Sequence, residues 1–227
     1  MRSPDKKARN LKLSDCVVFF DFDNTITRFD VILDVLERFS VDRKWVALEN
    51  AWRAGRIGSK ECLKGQLQSV RLTKEEMRRY LSTVPIDPYF GRFVEWLKEN
   101  KIRPTILSDS FSFFIKEILK SHGIRGVRVY CNELGFSGNR LFPSFPYHAQ
   151  GCLRCAHCKK QHLLNDRWRD KIVVYIGDGL SDVCPAREAD IVFAKESLLA
   201  YCRENKIPCG TFRNLRGIRD SLRRRFE

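Results

Sequence analysis

Cys16-Val-Val-Phe-Phe-Asp21-Phe-Asp-Asn-Thr25 decides how this chain is read. Five apolar, β-prone residues follow one another without a polar break, the pattern of a strand buried on both faces in a parallel sheet. The run then ends in two carboxylates. Asp21 and Asp23 are two apart, so an extended backbone directs both to one side. Two carboxylates at a strand end are costly unless a cation or a proton holds them together.

Two further apolar runs end in the same way. Thr105-Ile-Leu107 leads into Ser108-Asp-Ser110, and Ile172 to Ile176 leads into Gly177-Asp-Gly-Leu-Ser-Asp182. Ligands of open α/β sheets bind beyond the carboxyl ends of the strands, where these polar groups fall. Asp21, Asp23 and Asp178 form an oxygen-only set suited to magnesium, which favours carboxylates, carbonyls and water. Alone, Asp-x-Asp is a common solvated loop and Gly-Asp-Gly a common turn. Their conjunction at the ends of apolar strands is what points to catalysis.

Between these motifs the period changes. From Asp30 to about Thr83 the apolar residues fall at helical spacing: Val31, Ile32, Val35, Leu36 and Phe39; then Trp45, Leu48 and Trp52; then Leu63, Leu67 and Val70; then Met77, Tyr80 and Leu81. Pro85 and Pro88 close the stretch. From Tyr89 the spacing predicts alternation: a helix through Phe90 to Leu97, the Thr105 strand, a helix at about Phe113 to Ser121 and a strand at Val127 to Cys131. A hairpin at Leu134 to Phe142 turning on Gly138-Asn139 follows, then a helix near Lys160 to Trp168 and a strand Ile172 to Ile176. A helix after Ser181 and a strand Ile191 to Phe193 complete the series. This pattern calls for an α/β fold, a doubly wound parallel sheet with a small helical cap inserted after the first strand. The expected division is a catalytic core of residues 1–28 and 86–227 and a helical cap of residues 29–85.

Composition narrows the class. Hydrophobic residues at 43% and charged residues at 31% suit a folded globular chain and exclude a disordered one. No apolar run approaches the roughly 20 residues of a membrane span, and Met1 to Asp15 is basic and polar, unlike a signal peptide. A cytoplasmic protein is expected, with no membrane partner. Lys and Arg exceed Asp and Glu by 42 to 28, a net charge of +14 that attracts anions. Phosphorylated metabolites fit that charge. Nucleic acid is the weaker expectation, since no zinc-finger, helix-turn-helix or RNA-binding aromatic motif accompanies it. The densest basic segment, Arg216 to Arg225, carries Leu215, Ile218, Leu222 and Phe226 at helical spacing and reads as a terminal helix docked by one face.

The motifs resemble those of the haloacid dehalogenase superfamily of phosphohydrolases over essentially the whole chain. Its Asp-x-Asp-x-Thr motif is matched by Asp21, Asp23 and Thr25, its strand-end Ser or Thr by Ser108, and its acidic pair by Asp178 and Asp182. The helical insert is similar to the cap of the phosphoserine-phosphatase branch. Ser108-Asp-Ser-Phe-Ser-Phe-Phe-Ile115, Cys158-Lys159 and Gly177-Asp-Gly-Leu-Ser-Asp-Val-Cys-Pro185 are more specific. They resemble the group holding 2-hydroxy-3-keto-5-methylthiopentenyl-1-phosphate phosphatase and the phosphoethanolamine/phosphocholine phosphatases.

The resemblance implies a magnesium-dependent phosphomonoester hydrolase acting on a small phosphorylated metabolite through an aspartyl-phosphate. Asp21 would be the nucleophile and Asp23 the general acid and base. Magnesium would be held by Asp21, the carbonyl of Asp23 and Asp178, with Asp182 behind them. Ser108, Asp109 and a lysine, Lys159 rather than the adjacent Lys160, would meet the substrate and its phosphoryl oxygens. A phosphotransferase would use the same residues, and a nucleic-acid-associated phosphatase would use the basic charge. Neither substrate identity nor oligomeric state is legible.

Nine cysteines without an export signal do not suggest a disulfide framework. Six are scattered. Cys152-x-x-Cys155-x-x-Cys158 has metal-ligand spacing and reads either as a structural zinc site or as reduced loop cysteines. Zinc would need a fourth ligand, open among Cys131, His148, His157 and His162.

Overall fold

The computed structural model describes residues 12–226. The reading of Met1 to Asp15 therefore lies largely outside the described residues. In chain order the elements are β1 (Cys16–Phe20), α1 (Val31–Phe39), α2 (Lys44–Arg53), α3 (Ser59–Gln66), α4 (Lys74–Leu81), α5 (Phe90–Glu99), β2 (Thr105–Phe111), α6 (Ser112–Ser121), β3 (Arg128–Ser137), β4 (Arg140–Ser144), α7 (Lys159–Leu163), β5 (Ile172–Gly177), α8 (Val183–Glu188), β6 (Ile191–Ala194), α9 (Glu196–Glu204), β7 (Gly210–Thr211) and α10 (Leu215–Phe226). The fold class is the expected one: an α/β protein with a mainly parallel sheet and five α-helices between its first two strands, α1 to α4 in the stretch read as helical and α5 after it. Two compact units divide the chain, one of Met1–Phe20, Asp87–Thr105 and Lys159–Glu227, the other of Asp21–Ile86 and Ile106–Cys158.

The first unit is built on β1. Every residue of β1 and β5 is buried, as the unbroken apolar runs require. They pair in parallel from Cys16 opposite Ile172 to Phe20 opposite Ile176. β6 lies beside β5, and β7 beside β6, both parallel. Helix α5 buries Phe90, Phe93, Val94 and Leu97, one face at the 3.6-residue period. Phe20 meets Phe90 and Phe93 edge-on at 5.8 and 5.5 Å, contacts worth about 0.5–1.5 kcal/mol each beyond their buried area. α10 docks through Leu215, Ile218 and Leu222 while Arg223, Arg224 and Arg225 stay exposed, as its spacing predicts.

Three details of this unit differ from the sequence reading. The helix expected from Lys160 to Trp168 is split: α7 ends at Leu163, and a separate 3-10 turn covers Asp166–Trp168. The Asn165 side chain accepts from the N–H of Arg167 and so starts a new turn in place of continuing the old helix. α9 and β7 were not foreseen. β7 has two residues, too few for a pattern, and α9 buries only Leu198 and Cys202, against a small cluster with Ala186, Val192 and Ala194.

In the second unit, Asp30 caps α1 by accepting from the N–H of Leu33 at 2.9 Å, and Val31, Ile32, Val35 and Leu36 are buried. Thr73 and Glu76 form a reciprocal capping box on α4. The Trp45, Leu48 and Trp52 stripe exists, but no residue of α2 is fully buried. It faces α3, where a Cβ on Gly65 would come within 2.6 Å of Leu48, so the glycine permits the close approach. At the start of α3, a Cβ on Gly58 would lie 2.3 Å from the carbonyl oxygen of Leu153, and the Ser59 N–H donates to Arg154 at 2.8 Å. The helical stretch is thereby fastened to the cysteine-rich loop. β3 and β4 form the expected hairpin, Ser137 opposite Arg140, with Gly138 at φ +56° leading the turn.

Candidate active site

The carboxyl ends of β1 and β5 are brought level by their register. Asp21 directly follows Phe20, and Asp178 lies two residues beyond its partner Ile176. Oxygens of Asp21, Asp178 and Asp182 lie within 4.8 Å of one another, and all three residues are buried. No other group of three or more acidic, histidine or cysteine residues is so gathered among the described residues. Three buried carboxylates that close are mutually repulsive, and hard oxygen donors fit a magnesium-class ion.

Asp182 is held far more tightly than a metal ligand alone would need. Its Oδ1 accepts from Lys159 Nζ at 2.7 Å and from the Tyr175 hydroxyl at 2.5 Å. Its Oδ2 accepts from the backbone N–H groups of Asp178 and Gly179, both at 3.0 Å. The carboxylate thus orients the Asp178 turn and neutralises a lysine that is 2% exposed. A Cβ at position 177 would meet Asp182 Oδ2 at 2.5 Å, which is why glycine ends β5. Lys159 also donates to Ser181 Oγ at 3.2 Å. Lys160 points elsewhere: its side chain is 44% exposed and pairs with Glu188.

In the second unit, Asp23 sits where the loop after β1 meets helix α1. Its Oδ1 accepts from the N–H of Val31 at 3.0 Å, and its carbonyl accepts from Thr25 at 2.7 Å. Asn24, at φ +54°, makes the tight turn between them. Desolvation, then the carboxylates of Asp30 and Asp21, hold Asp23 well above the usual carboxylate range. Ser108 is buried, and its hydroxyl accepts from the Ser110 N–H at 2.9 Å. Asp109 Oδ1 accepts from the backbone N–H of His157 at 2.9 Å, and its carbonyl accepts from Asn132 at 2.6 Å.

Of the two readings of the cysteine loop, a zinc site or reduced thiols, the structure lends no support to zinc. Cys152, Cys155 and Cys158 do not gather their sulfurs into a ligand set. Cys152 Sγ accepts from the Cys155 N–H at 3.4 Å, and the Cys158 backbone is held by the Tyr147 carbonyl. None of the suggested fourth ligands completes a site. His148 Nδ1 bonds the Cys155 carbonyl, His157 Nδ1 bonds the Ser108 carbonyl, and burial raises the Cys131 thiol to about 12.

His162 is lowered to about 4, by burial first and then by Arg167. Its folded pKa lies below its unfolded one, so the unfolded chain takes up a proton first as pH falls. Stability linked to His162 is present above about pH 6.5 and lost toward pH 4. Thermal melts from pH 7 to pH 4.5 should fall less steeply for His162→Gln than for the wild type, and identical slopes would rule the linkage out.

Tyr175, Asn132 and His157 were not read as part of this chemistry. A hydroxyl-bearing residue inside the apolar β5 run was the available signal for Tyr175. Asn132, wholly buried within β3, gave none.

Comparison with known proteins supplies the context. The model of the family described as Putative Phosphatase matches residues 16–204. A 2-hydroxy-3-keto-5-methylthiopentenyl-1-phosphate phosphatase of Geobacillus kaustophilus is 33% identical over 213 residues, covering 92% of this chain and 96% of that protein. One from Bacillus cereus is 28% identical, covering 91% and 95%. Among solved structures, a phospho-aspartyl intermediate analogue of phosphoserine phosphatase superposes with a TM-score of 0.70 at 18% identity, covering 91% of this chain and 98% of that one.

Proposed function

We propose, from the premise that this chain belongs to the Putative Phosphatase family of the haloacid dehalogenase superfamily, that it hydrolyses a small phosphomonoester through an aspartyl-phosphate on Asp21. It is a phosphatase of small phosphorylated metabolites. The observation that carries the mechanism is the buried group of Asp21, Asp178 and Asp182 at the strand ends.

Asp21 and Asp178, with the carbonyl of Asp23, would hold a magnesium ion, and Asp182 would orient them. Bound there, the ion supplies positive charge that lets a carboxylate approach an anionic ester. A carboxylate oxygen of Asp21 attacks phosphorus, and the bond from phosphorus to the ester oxygen breaks. Asp23 gives its proton to the departing oxygen. The same carboxylate then takes a proton from a water molecule that attacks the phosphorus of aspartyl-phosphate, releasing inorganic phosphate and restoring Asp21. Lys159 and Ser108 would donate to the phosphoryl oxygens, and Asp109 would read the substrate beside them. Residues 29–85 are assigned to the cap that selects the ester, the remainder to the catalytic core. The place of action that fits the sequence is the cytoplasm.

A panel of small phosphomonoesters tests this, headed by the enol phosphate in the relatives' names, with phosphoethanolamine, phosphocholine, phosphoserine and pyridoxal phosphate beside it. Phosphate release should require magnesium, stop with chelator and return when magnesium is restored. Faster release from a phosphoprotein or a DNA end than from every small ester would overturn the substrate class.

A further inference from the structure

We infer that His157 is a positioning residue that sets the Ser108–Asp109 strand end for the reaction; this rests on the phosphatase reading above. His157 lies in the cysteine-rich loop, yet it is 1% exposed. Two of its polar contacts go to the end of β2, 48 and 49 residues away in sequence. The backbone N–H donates to Asp109 Oδ1 at 2.9 Å. Ring Nδ1 is 2.9 Å from the carbonyl oxygen of Ser108. A carbonyl only accepts, so Nδ1 carries the hydrogen.

On the other side, Asn132 Nδ2 donates to the Asp109 carbonyl at 2.6 Å. The peptides on the two sides of Asp109 are therefore held at once, Ser108–Asp109 from the loop and Asp109–Ser110 from β3. The His157 ring stacks on Tyr147 at 5.0 Å and 28°, and Tyr147 meets Tyr130 edge-on at 5.6 Å. This stack fixes the plane of the imidazole, and hence the direction of the Nδ1–H bond. The Ser108 hydroxyl and the Asp109 carboxylate are the groups proposed to meet the ester, so a small rotation of their peptide moves both. Misplacement of about 1 Å costs on the order of 10²-fold in rate. The loop is thus a brace for the substrate-binding strand end. Its sequence spacing suggests a metal, but its buried histidine supplies the function.

Two substitutions separate positioning from simple packing. His157→Phe keeps the ring, its volume and its stack on Tyr147, but loses the donor to Ser108. His157→Asn loses the ring, while its amide nitrogen stands near the place of Nδ1. The inference expects opposite rankings. His157→Phe should keep a melting temperature close to the wild type, with kcat/KM down about 30- to 100-fold. His157→Asn should melt lower, with kcat/KM within about fivefold of the wild type. A His157→Phe enzyme within about threefold of the wild type would overturn it, as would losses that follow melting temperature in both variants. Wild-type phosphate release and its abolition by Asp21→Asn are measured alongside. An inactive wild type would remove the phosphatase reading and this inference together. An active wild type with an unimpaired His157→Phe would remove this inference alone.

Discussion

Asp21→Asn is expected to lower phosphate release from the best small ester by about 10⁴-fold or more, with the chain still folded. The amide matches the carboxylate in shape but is no nucleophile at phosphorus, so the covalent route closes entirely. Asp21 is buried with two other carboxylates close by. Removing its charge relieves like-charge repulsion, so melting temperature without metal should hold steady or rise. The rise on adding magnesium should shrink, because one ligand is weakened. Steady-state kinetics and melts with and without magnesium read both effects. Activity within tenfold of the wild type would dismiss Asp21 as the nucleophile.

The second large effect belongs to Asp182. Asp182→Asn strips the negative charge from a pair in which Lys159 and Asp182 are 2% and 0% exposed. Lys159 then loses the charge of its Asp182 partner, and breaking such a buried pair costs about 3–5 kcal/mol. For a chain of this length that is a fall in melting temperature of roughly 10 °C. Lys159→Met should cost less, because Asp182 keeps the Tyr175 hydroxyl and two backbone N–H groups. The double variant should therefore melt higher than Asp182→Asn alone. Additive losses in the double variant would contradict the pairing. All three variants should be catalytically poor, since Lys159 is also proposed to bind phosphate.

The gathering of acids at the strand ends was legible because it is local. Asp21 directly follows one apolar run, Asp178 follows another after Gly177 with Asp182 four residues on, and parallel pairing of the runs brings their ends level. The resemblance added roles to residues already marked by position. What could not be read depends on contacts distant in sequence. His157 reaches Ser108 across 49 residues, and Asn132 reaches Asp109 across 23. No periodicity records either. The cysteine spacing left zinc and reduced thiols both open, because ligand spacing is necessary for a zinc site but not sufficient, and the sulfurs are not gathered here. The break after α7 was hidden because Asn165 suits a helix interior poorly but a cap well.

The seam at Gly58 bears on how such an enzyme could change its diet. Helix α3 begins against the carbonyl of Leu153, too close for any Cβ, and Ser59 is bonded to Arg154. The stretch assigned to choosing the ester and the loop that braces β2 therefore share one joint. Variation on the two sides of that joint is not independent. A selection that randomises only residues 29–85 for a new substrate should return glycine at 58 in nearly every survivor. Freeing residues 153 and 154 in the same library should release that constraint, so new specificities will tend to arise as coupled changes in helix and loop.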